Sequence, residues 1–334
     1  MFRMNGILQC YGGQSAIEGI LMFSLLSYGE VLVDFLPSEQ GESYYPMAGG
    51  APANVAVAFA KLGGESYFAG GISHDNFGAM LLQALEKNNV KSQYVYRVEQ
   101  ANTAMVLVSL DANGERSFNF YRHNTADTCY GKTQIDAINW QDISIFHCCS
   151  NTLTNTSMNS SSLYALKKAK LNNTLVSFDV NLRQQLWQEL HLLPERVNAC
   201  LKLSDLVKLS KDEALYLAAQ TEQSYQEYLN SLLALDIKLI VITDGPNAVQ
   251  VLSLAFSSFI KVPAIRAVDT TAAGDSFIAS FIFSLTEQSQ ANALTHSLTE
   301  LDKVTNAVLF AAKCGAYTCQ QKGAFAALPS FNDI

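Results

Sequence analysis

Leu206-Val207-Lys208-Leu209-Ser210-Lys211-Asp212-Glu213-Ala214-Leu215-Tyr216-Leu217-Ala218-Ala219 passes from a short apolar run into a helical period, with Ser210 and Glu213 spaced as a capping box between them. It reads as a buried strand over 206–209 and a helix over 211–219. A second helical period, 225–235, and a further apolar run, 238–243, follow at once. Alternation of strand and helix on this scale means a mostly parallel sheet covered by helices on both faces. The pattern extends N-terminally: 25–35, 66–69, 143–148 and 175–180 read as strands, and 54–62, 77–87 and 158–171 as helices. The expected class is therefore α/β, a three-layer α/β/α sandwich. One interval departs from the alternation. Residues 92–97, 103–110 and 116–122 are all strand-like, with Asp111-Ala112-Asn113-Gly114 as a turn. They predict a small antiparallel β lid, with its strands within about residues 35–47 and 92–125. No repeat or Pro/Gly/Ser linker divides the chain, so a single domain over 25–330 fits better than the two its 334 residues suggest. Residues 1–24 do not share the pattern and lack the apolar core of a signal peptide. They are expected to be an upstream extension, a tag or a misplaced start, with Met22 as an internal start.

Composition narrows the function. Charged residues make up 16% of the chain and apolar residues 49%, with a net charge of −8. A chain so poor in charge is not disordered. An acidic chain lacks the basic face that nucleic acid or an anionic membrane requires, so neither is an expected partner. Phosphate chemistry would rest on a few local cations. The seven cysteines include no CxxC pair and no metal-ligand spacing, which reads as free thiols in a reducing cytoplasm. No apolar run reaches the roughly 18 residues of a membrane span.

Two segments carry chemistry. The first is Val268-Asp269-Thr270-Thr271-Ala272-Ala273-Gly274-Asp275-Ser276-Phe277, which leads into the apolar helix 278–285. Small residues at a helix entry let an anion approach unpaired N–H groups at the positive end of the dipole. Asp275, in the first turn, suits two roles. It complements the dipole, or it acts as the base of a phosphoryl transferase. The second segment is Gly49-Gly50-Ala51-Pro52-Ala53-Asn54, opening the helix that ends before Gly63. Its glycines permit close backbone approach, and Asn54 offers both a donor and an acceptor to a hydroxyl, although Pro52 and Gly63 are also ordinary helix punctuation.

Together these segments resemble the two signatures of the ribokinase (PfkB) family of carbohydrate kinases. The first signature runs through Gly49, Gly50, Asn54, Gly63, Gly70, Asp75, Phe77 and Gly78, and the second through Asp269, Thr270, Thr271, Gly274 and Asp275. The resemblance spans residue 25 to about residue 329 and implies a ribokinase-like fold using ATP and Mg²⁺. It implies that Asp275 is the general base and that the amides of Ala272, Ala273, Gly274 and Asp275 form an anion hole. It also implies that Asp34, at the end of the first strand, binds sugar together with Gly49, Gly50 and Asn54. Thr243 and Gly245 match the nucleotide side, and Asn306 a position facing adenine. Glu213 matches an element linked to magnesium and phosphate, with Ser210 replacing its usual Asn. Its capping-box role explains it equally well. Lys208 is a candidate phosphate contact. Asp269, Thr271 and the loop from Gly323 match the family's monovalent cation site, expected to take K⁺.

Asp179-Val180-Asn181-Leu182-Arg183, and the run from Arg116 to Asp127 with Phe118, Phe120 and Arg122, resemble fructokinase-like members. They imply phosphorylation of D-fructose to fructose 6-phosphate, with Phe118, Phe120, Arg122 and Arg183 facing the sugar. The alternatives are 2-keto-3-deoxygluconate or a riboside with the same chemistry, or a catalytically silent sugar- or nucleotide-binding regulator. Relatives of this family also pair through the lid, so a homodimer is expected. Ala272 departs from the family's Gly. A negative φ is therefore expected there, since positive φ costs Ala roughly 1 kcal/mol or more and would count against an intact anion hole.

Overall fold

The computed structural model describes residues 23–38, 42–110, 116–290 and 293–334. The extension expected over 1–24, including the internal start at Met22, and the turn Asp111-Ala112-Asn113-Gly114 lie outside these residues, apart from positions 23 and 24. In chain order the strands are β1 (Ser24–Tyr28), β2 (Leu32–Pro37), β3 (Tyr44–Gly49), β4 (Glu65–Ser73), β5 (Lys91–Val98), β6 (Met105–Leu110) and β7 (Arg116–Tyr121). They continue with β8 (Ile145–Cys149), β9 (Leu175–Asp179), β10 (Leu206–Ser210), β11 (Leu239–Thr243), β12 (Val249–Leu252) and β13 (Ser257–Ile260). The helices are α1 (Ala51–Lys61), α2 (Asn76–Lys87), α3 (Lys132–Asp136), α4 (Thr156–Leu171) and α5 (Leu193–Leu201). They continue with α6 (Lys211–Gln220), α7 (Tyr225–Leu233), α8 (Ala273–Glu287), α9 (Leu294–Ser297) and α10 (Leu301–Cys319).

Nine strands form the main sheet in the order β13-β12-β11-β10-β9-β8-β1-β4-β5, parallel from β11 through β5. Alternate side chains enter two separate cores. Leu25, Leu206 and Leu239 join the apolar layer with α1, α8 and α10, while Leu26, Val207 and Ile240 join the layer with α4, α5, α6 and α7. Burial on both faces makes these strands read as continuous apolar runs rather than alternating ones.

The lid is a four-stranded sheet in the order β3-β2-β6-β7, antiparallel except for its central parallel pair β2–β6. Two expectations are corrected here. The single strand expected over 25–35 is two strands in different sheets, separated at Gly29, whose φ is 148°. A Cβ at Gly29 would lie 2.6 Å from Pro52 Cγ, so the chain turns where α1 presses against it. Residues 92–97 belong to β5, the edge of the main sheet, and not to the lid: Gly71 pairs with Tyr96 and Ser73 with Val98. Both edge strands and lid strands are half exposed, so composition does not separate them.

Candidate active site

The carboxyl ends of the parallel strands open toward the head of α8, the crevice where open α/β sheets bind ligands. Asp275, in the first turn of α8, is 8% exposed and accepts a 2.7 Å hydrogen bond from Asn54 Nδ2 in α1. That bond joins the two signature segments across 221 residues. The other Asn54 atom, Oδ1, is buried without a hydrogen-bond partner. Burial raises the Asp275 pKa, against the lowering pull of Asn54, Lys208 and Arg183.

Asp34 is placed differently from expectation. It lies inside lid strand β2, opposite Met47 and Val106, rather than at the end of the first strand. Its pKa is pushed up to about 7, first by burial and then by the charges of Asp275 and Asp269. Asp275 and Asp269 are thus both within electrostatic reach of Asp34. Gly49 is the residue that admits the Asp34 side chain, because a Cβ there would stand 2.1 Å from Asp34 Oδ2. Gly50 has φ 109°, and a Cβ on it would meet the Glu30 carbonyl at 2.7 Å.

Ala272 occupies the N-cap of α8 with φ 58° and ψ 7°. The expectation of negative φ is thus overturned. The chain reverses from the Thr270–Ala272 turn straight into the helix, and the left-handed region achieves that reversal in one residue. Helical bonding begins regularly, with Ala273 N donating to Thr270 O at 3.3 Å and Ser276 N to Ala272 O at 2.8 Å. No side chain caps the helix, and the next amides, Gly274 and Asp275, are first-turn donors without intrahelical acceptors. This positive φ counts against the intact anion hole expected from Ala272 to Asp275, and leaves the Gly274 and Asp275 amides as the donors at the head of α8.

Lys208, on β10, is buried and bonded to both oxygens of Asp179 at 3.1 and 3.0 Å. Its ammonium also fills the space beside Gly274, where a Cβ would come within 2.9 Å of Nζ. The neighbouring His147, on β8, is buried beside Ser177 Oγ at 3.0 Å, and burial with the Lys208 charge drives its pKa down to about 3. It is a neutral packing residue. Arg183 is exposed, bonded through Nη1 to the Leu182 carbonyl, and lies within electrostatic reach of Asp275.

Glu213 has both carboxylate oxygens engaged by backbone. Oε2 accepts from Ser210 N at 2.7 Å, completing the capping box, and Oε1 accepts from Leu182 N at 2.7 Å. It therefore straps the loop after β9, where buried Asn181 holds φ 35°, to the head of α6.

A cavity of about 390 Å³ adjoins the head of α8, lined by Thr243, Gly245 and Pro246, by Val262 and Ile265, by Ala312 and Ala316 of α10, and by Ala273 and Gly274. It has the size and apolar lining of a ligand pocket, with the α8 amides at its inner end. Asn306 is not part of it. It lies earlier on α10, is exposed, and donates from Nδ2 to Gln288 Oε1 at 3.4 Å.

The lid aromatics share a face as expected, with Phe118 and Phe120 stacked at 6.5 Å between centroids. Phe120 packs on the lid's own small core of Leu32, Ala104, Val106 and Val108, while Phe118 is exposed. Arg122, expected at the sugar, is turned into the core instead. Its Nε donates to Asp127 Oδ2 at 2.5 Å and its Nη1 to the Asn151 carbonyl at 2.9 Å. The alternation of strand faces predicts its side of β7 but cannot foresee a buried carboxylate five residues on. The Asp179–Lys208 pair was equally hidden, a charge pair lying between apolar strand residues.

Asp269, Thr271 and Gly323 do come together. Asp269 is buried and accepts from Thr271 N at 2.8 Å and Gly323 N at 3.0 Å. Lys61, at the end of α1, donates to the carbonyls of Phe325, at 3.1 Å, and Leu328 in the same closing loop. Among the described residues no group of three or more His, Cys, Asp or Glu side chains is arranged to hold a metal, and no helix is long and apolar enough to cross a membrane.

The model of the pfkB family carbohydrate kinases matches residues 22–330. A probable fructokinase-5 of Arabidopsis thaliana is 35% identical over 312 residues, 92% of this chain and 94% of the relative. A fructokinase from Xylella fastidiosa, solved with bound ATP, superposes with a TM-score of 0.89 at 32% identity, covering 93% of this chain and 96% of that one. A fructokinase from Vibrio cholerae O395, solved with fructose, ADP and calcium ion, superposes with a TM-score of 0.80 at 33% identity, covering 92% and 96% respectively.

Proposed function

The chain belongs to the pfkB family of carbohydrate kinases and is a fructokinase-like sugar kinase, and from that premise we propose that it transfers the γ-phosphoryl group of ATP to the primary hydroxyl of D-fructose, with Asp275 as the base. The Asn54–Asp275 bond carries this reading. It fixes one carboxylate oxygen and leaves the other to accept the proton of a sugar hydroxyl. The unpartnered Asn54 Oδ1 offers an acceptor to a second hydroxyl, and Asp34 a third contact from the lid. Phosphoryl transfer asks mainly for positioning and charge stabilisation. The first-turn amides of α8 and the Lys208 ammonium beside Gly274 supply it where the phosphoryl group passes. The 390 Å³ cavity adjoining the α8 head takes the nucleoside of ATP. The lid, by covering the sugar, keeps water from competing for the phosphoryl group.

Mg²⁺ enters this reading with the nucleotide. The fit supports that route: both Glu213 oxygens are held by amides and Asp179 is paired with Lys208, so the chain offers no carboxylate cage. A Mg²⁺ ion bound chiefly by phosphates and water needs none. Asp269, Thr271 and the loop at Gly323 form the oxygen-rich bend assigned to K⁺. Two further carbonyls of that loop are already satisfied by Lys61. The six cysteines among the described residues are unpaired, which suits a reducing cytoplasm. The aromatic edges of the lid are assigned to a second copy of the chain.

A coupled ADP-release assay over fructose, ribose, 2-keto-3-deoxygluconate and nucleosides, with and without K⁺, tests the assignment. Fructose is expected to turn over with the highest kcat/KM, and Asp275→Asn to lower kcat by about 10³-fold or more. A near wild-type rate in that variant would sink the mechanism, and a preference for another acceptor would replace the substrate.

A further inference from the structure

Arg122 immediately follows lid strand β7, yet its guanidinium is locked inside the main body. The side chain is 4% exposed, and those of Glu30 and Asp127 are 3% and 1% exposed. Beside its bonds to Asp127 and the Asn151 carbonyl, Nη2 stands 3.9 Å from Glu30 Oε2. Asn151 Nδ2 donates to Glu30 Oε1 at 2.9 Å, and Thr125 Oγ1 to Asp127 Oδ1 at 2.6 Å. Glu30 lies in the link from β1 to β2, Asp127 in the turn after β7, and Asn151 in the turn after β8. One guanidinium therefore ties together two of the places where the chain crosses between the main sheet and the lid.

Stability alone does not account for this cluster. Glu30 Oε2, Arg122 Nη2 and Asn151 Oδ1 are all buried without a hydrogen-bond partner. A buried charge network left part-satisfied holds a fold no better than apolar side chains of similar volume. What a guanidinium bonded through both Nε and Nη1 adds is a fixed direction, here between lid and main sheet. Asp34 depends on that angle. β2 begins two residues after Glu30, carries Asp34, and is held through β6 to β7, the strand that Arg122 ends.

We propose that Arg122 is a positioning residue, the pin that fixes the lid at the angle bringing Asp34 to the sugar side of Asp275. The proposal rests on the sugar-kinase reading and adds to it a residue that touches neither substrate nor reacting atoms. Loosening the pin leaves Asp275, Lys208 and the α8 amides in place, but lets the lid drift from the sugar and admits water.

Two variants test it: Arg122→Lys, which keeps the charge without the fork, and the triple variant Arg122→Met/Glu30→Gln/Asp127→Leu, which removes the charges together. The triple variant is expected to melt close to the wild type, because no buried charge is left unpaired. Its KM for fructose should rise by about 10- to 100-fold while its KM for ATP stays near the wild-type value, since about 1 Å of misplacement costs that order of rate. The ratio of ADP to fructose 6-phosphate formed should rise above one, and amides of β6 and β7 should exchange hydrogen faster. Arg122→Lys should fall between the two. A folded triple variant with unchanged fructose KM, product ratio and exchange would overturn the proposal. So would a loss spread evenly over all kinetic constants in step with melting temperature. Failure of the sugar-kinase reading shows separately, as a wild type that does not phosphorylate fructose, and lid exchange still reports on the pin in that case.

Discussion

Gly274 stands where a methyl group would press on the Lys208 ammonium, at 2.9 Å, and Lys208 is held there by both oxygens of Asp179. Gly274→Ala is therefore expected to lower kcat by about 10²-fold, comparable to losing one donor to a developing oxyanion, with little change in melting temperature. Steady-state kinetics beside a thermal melt checks both halves. Ala272 asks the opposite question. Its left-handed backbone strains an L-residue, so Ala272→Gly should stabilise the fold by about 1 kcal/mol, read as a higher denaturation midpoint with activity at least preserved. A lower midpoint would show that the strain is relieved elsewhere. Asp275 supplies a pH test. As the proposed base it would act ionised, and burial raises its pKa above the ordinary 3.8, so activity is expected to fade as pH falls through that raised value. Arg183 pulls the value down, and removing its charge in Arg183→Gln should move the acid limb of the kcat/KM profile to higher pH. An unmoved limb would exclude Asp275 as the titrating group.

At the scale of elements, strands buried on both faces announce themselves, and so does the helix whose Ser210 and Glu213 form a capping box with both bonds made. What the sequence hides is which sheet a strand joins. β1 and β2 read as one apolar run because only the short link Gly29-Glu30-Val31 separates them, and the reason for the break at Gly29, Pro52 pressing from α1, lies more than twenty residues away. β5 reads as lid because an edge strand exposes as much polar surface as a lid strand does. Of the site, Asp275, Asn54 and the paired glycines were legible since helix entries and close backbone approaches demand particular residues. The Arg122 cluster was not, because it depends on how elements meet. The lid hinge has one locally written anchor. Asp75 caps α2 by accepting from Gly78 N at 2.7 Å and reaches across to Thr103, accepting from its N at 2.8 Å and its Oγ1 at 2.6 Å, just before β6. Burial acts to raise its pKa, but the bonds from Thr103 and Gly78 outweigh it and leave the value below the ordinary 3.8. The stabilisation is present above that ordinary value and is lost as pH falls through the lower, folded one. Asp75→Ala should cost about 1 to 2 kcal/mol as a lost cap, and should flatten the acid side of the stability–pH curve measured by urea unfolding.

For the molecule as a whole, the low share of charged residues finds its place in a nine-stranded sheet covered on both faces, which leaves the lid as the part without a cover. Its two edge strands carry the exposed aromatics: Tyr44 and Tyr45 on β3, at 40% and 59% exposure, and Phe118 and Tyr121 on β7, at 41% and 57%. Aromatic edges with unpaired backbone invite association, and soluble chains ordinarily blunt such edges with charge. Neither edge strand carries an acidic or basic residue over 44–49 or 117–121. The lid pairing assigned above would cover them with the same surface from a second copy, an isologous contact that closes at two chains. Sedimentation velocity is expected to show a dimer that becomes monomeric in Tyr45→Lys/Tyr121→Lys, since a charge buried without a partner opposes association by several kcal/mol. If the lid covers the sugar as proposed, the monomeric variant should bind fructose more weakly while its affinity for ATP stays unchanged. A variant sedimenting as the wild type does, or a wild type that is monomeric at every concentration tested, would remove the lid from the assembly and leave its aromatic edges to the single chain.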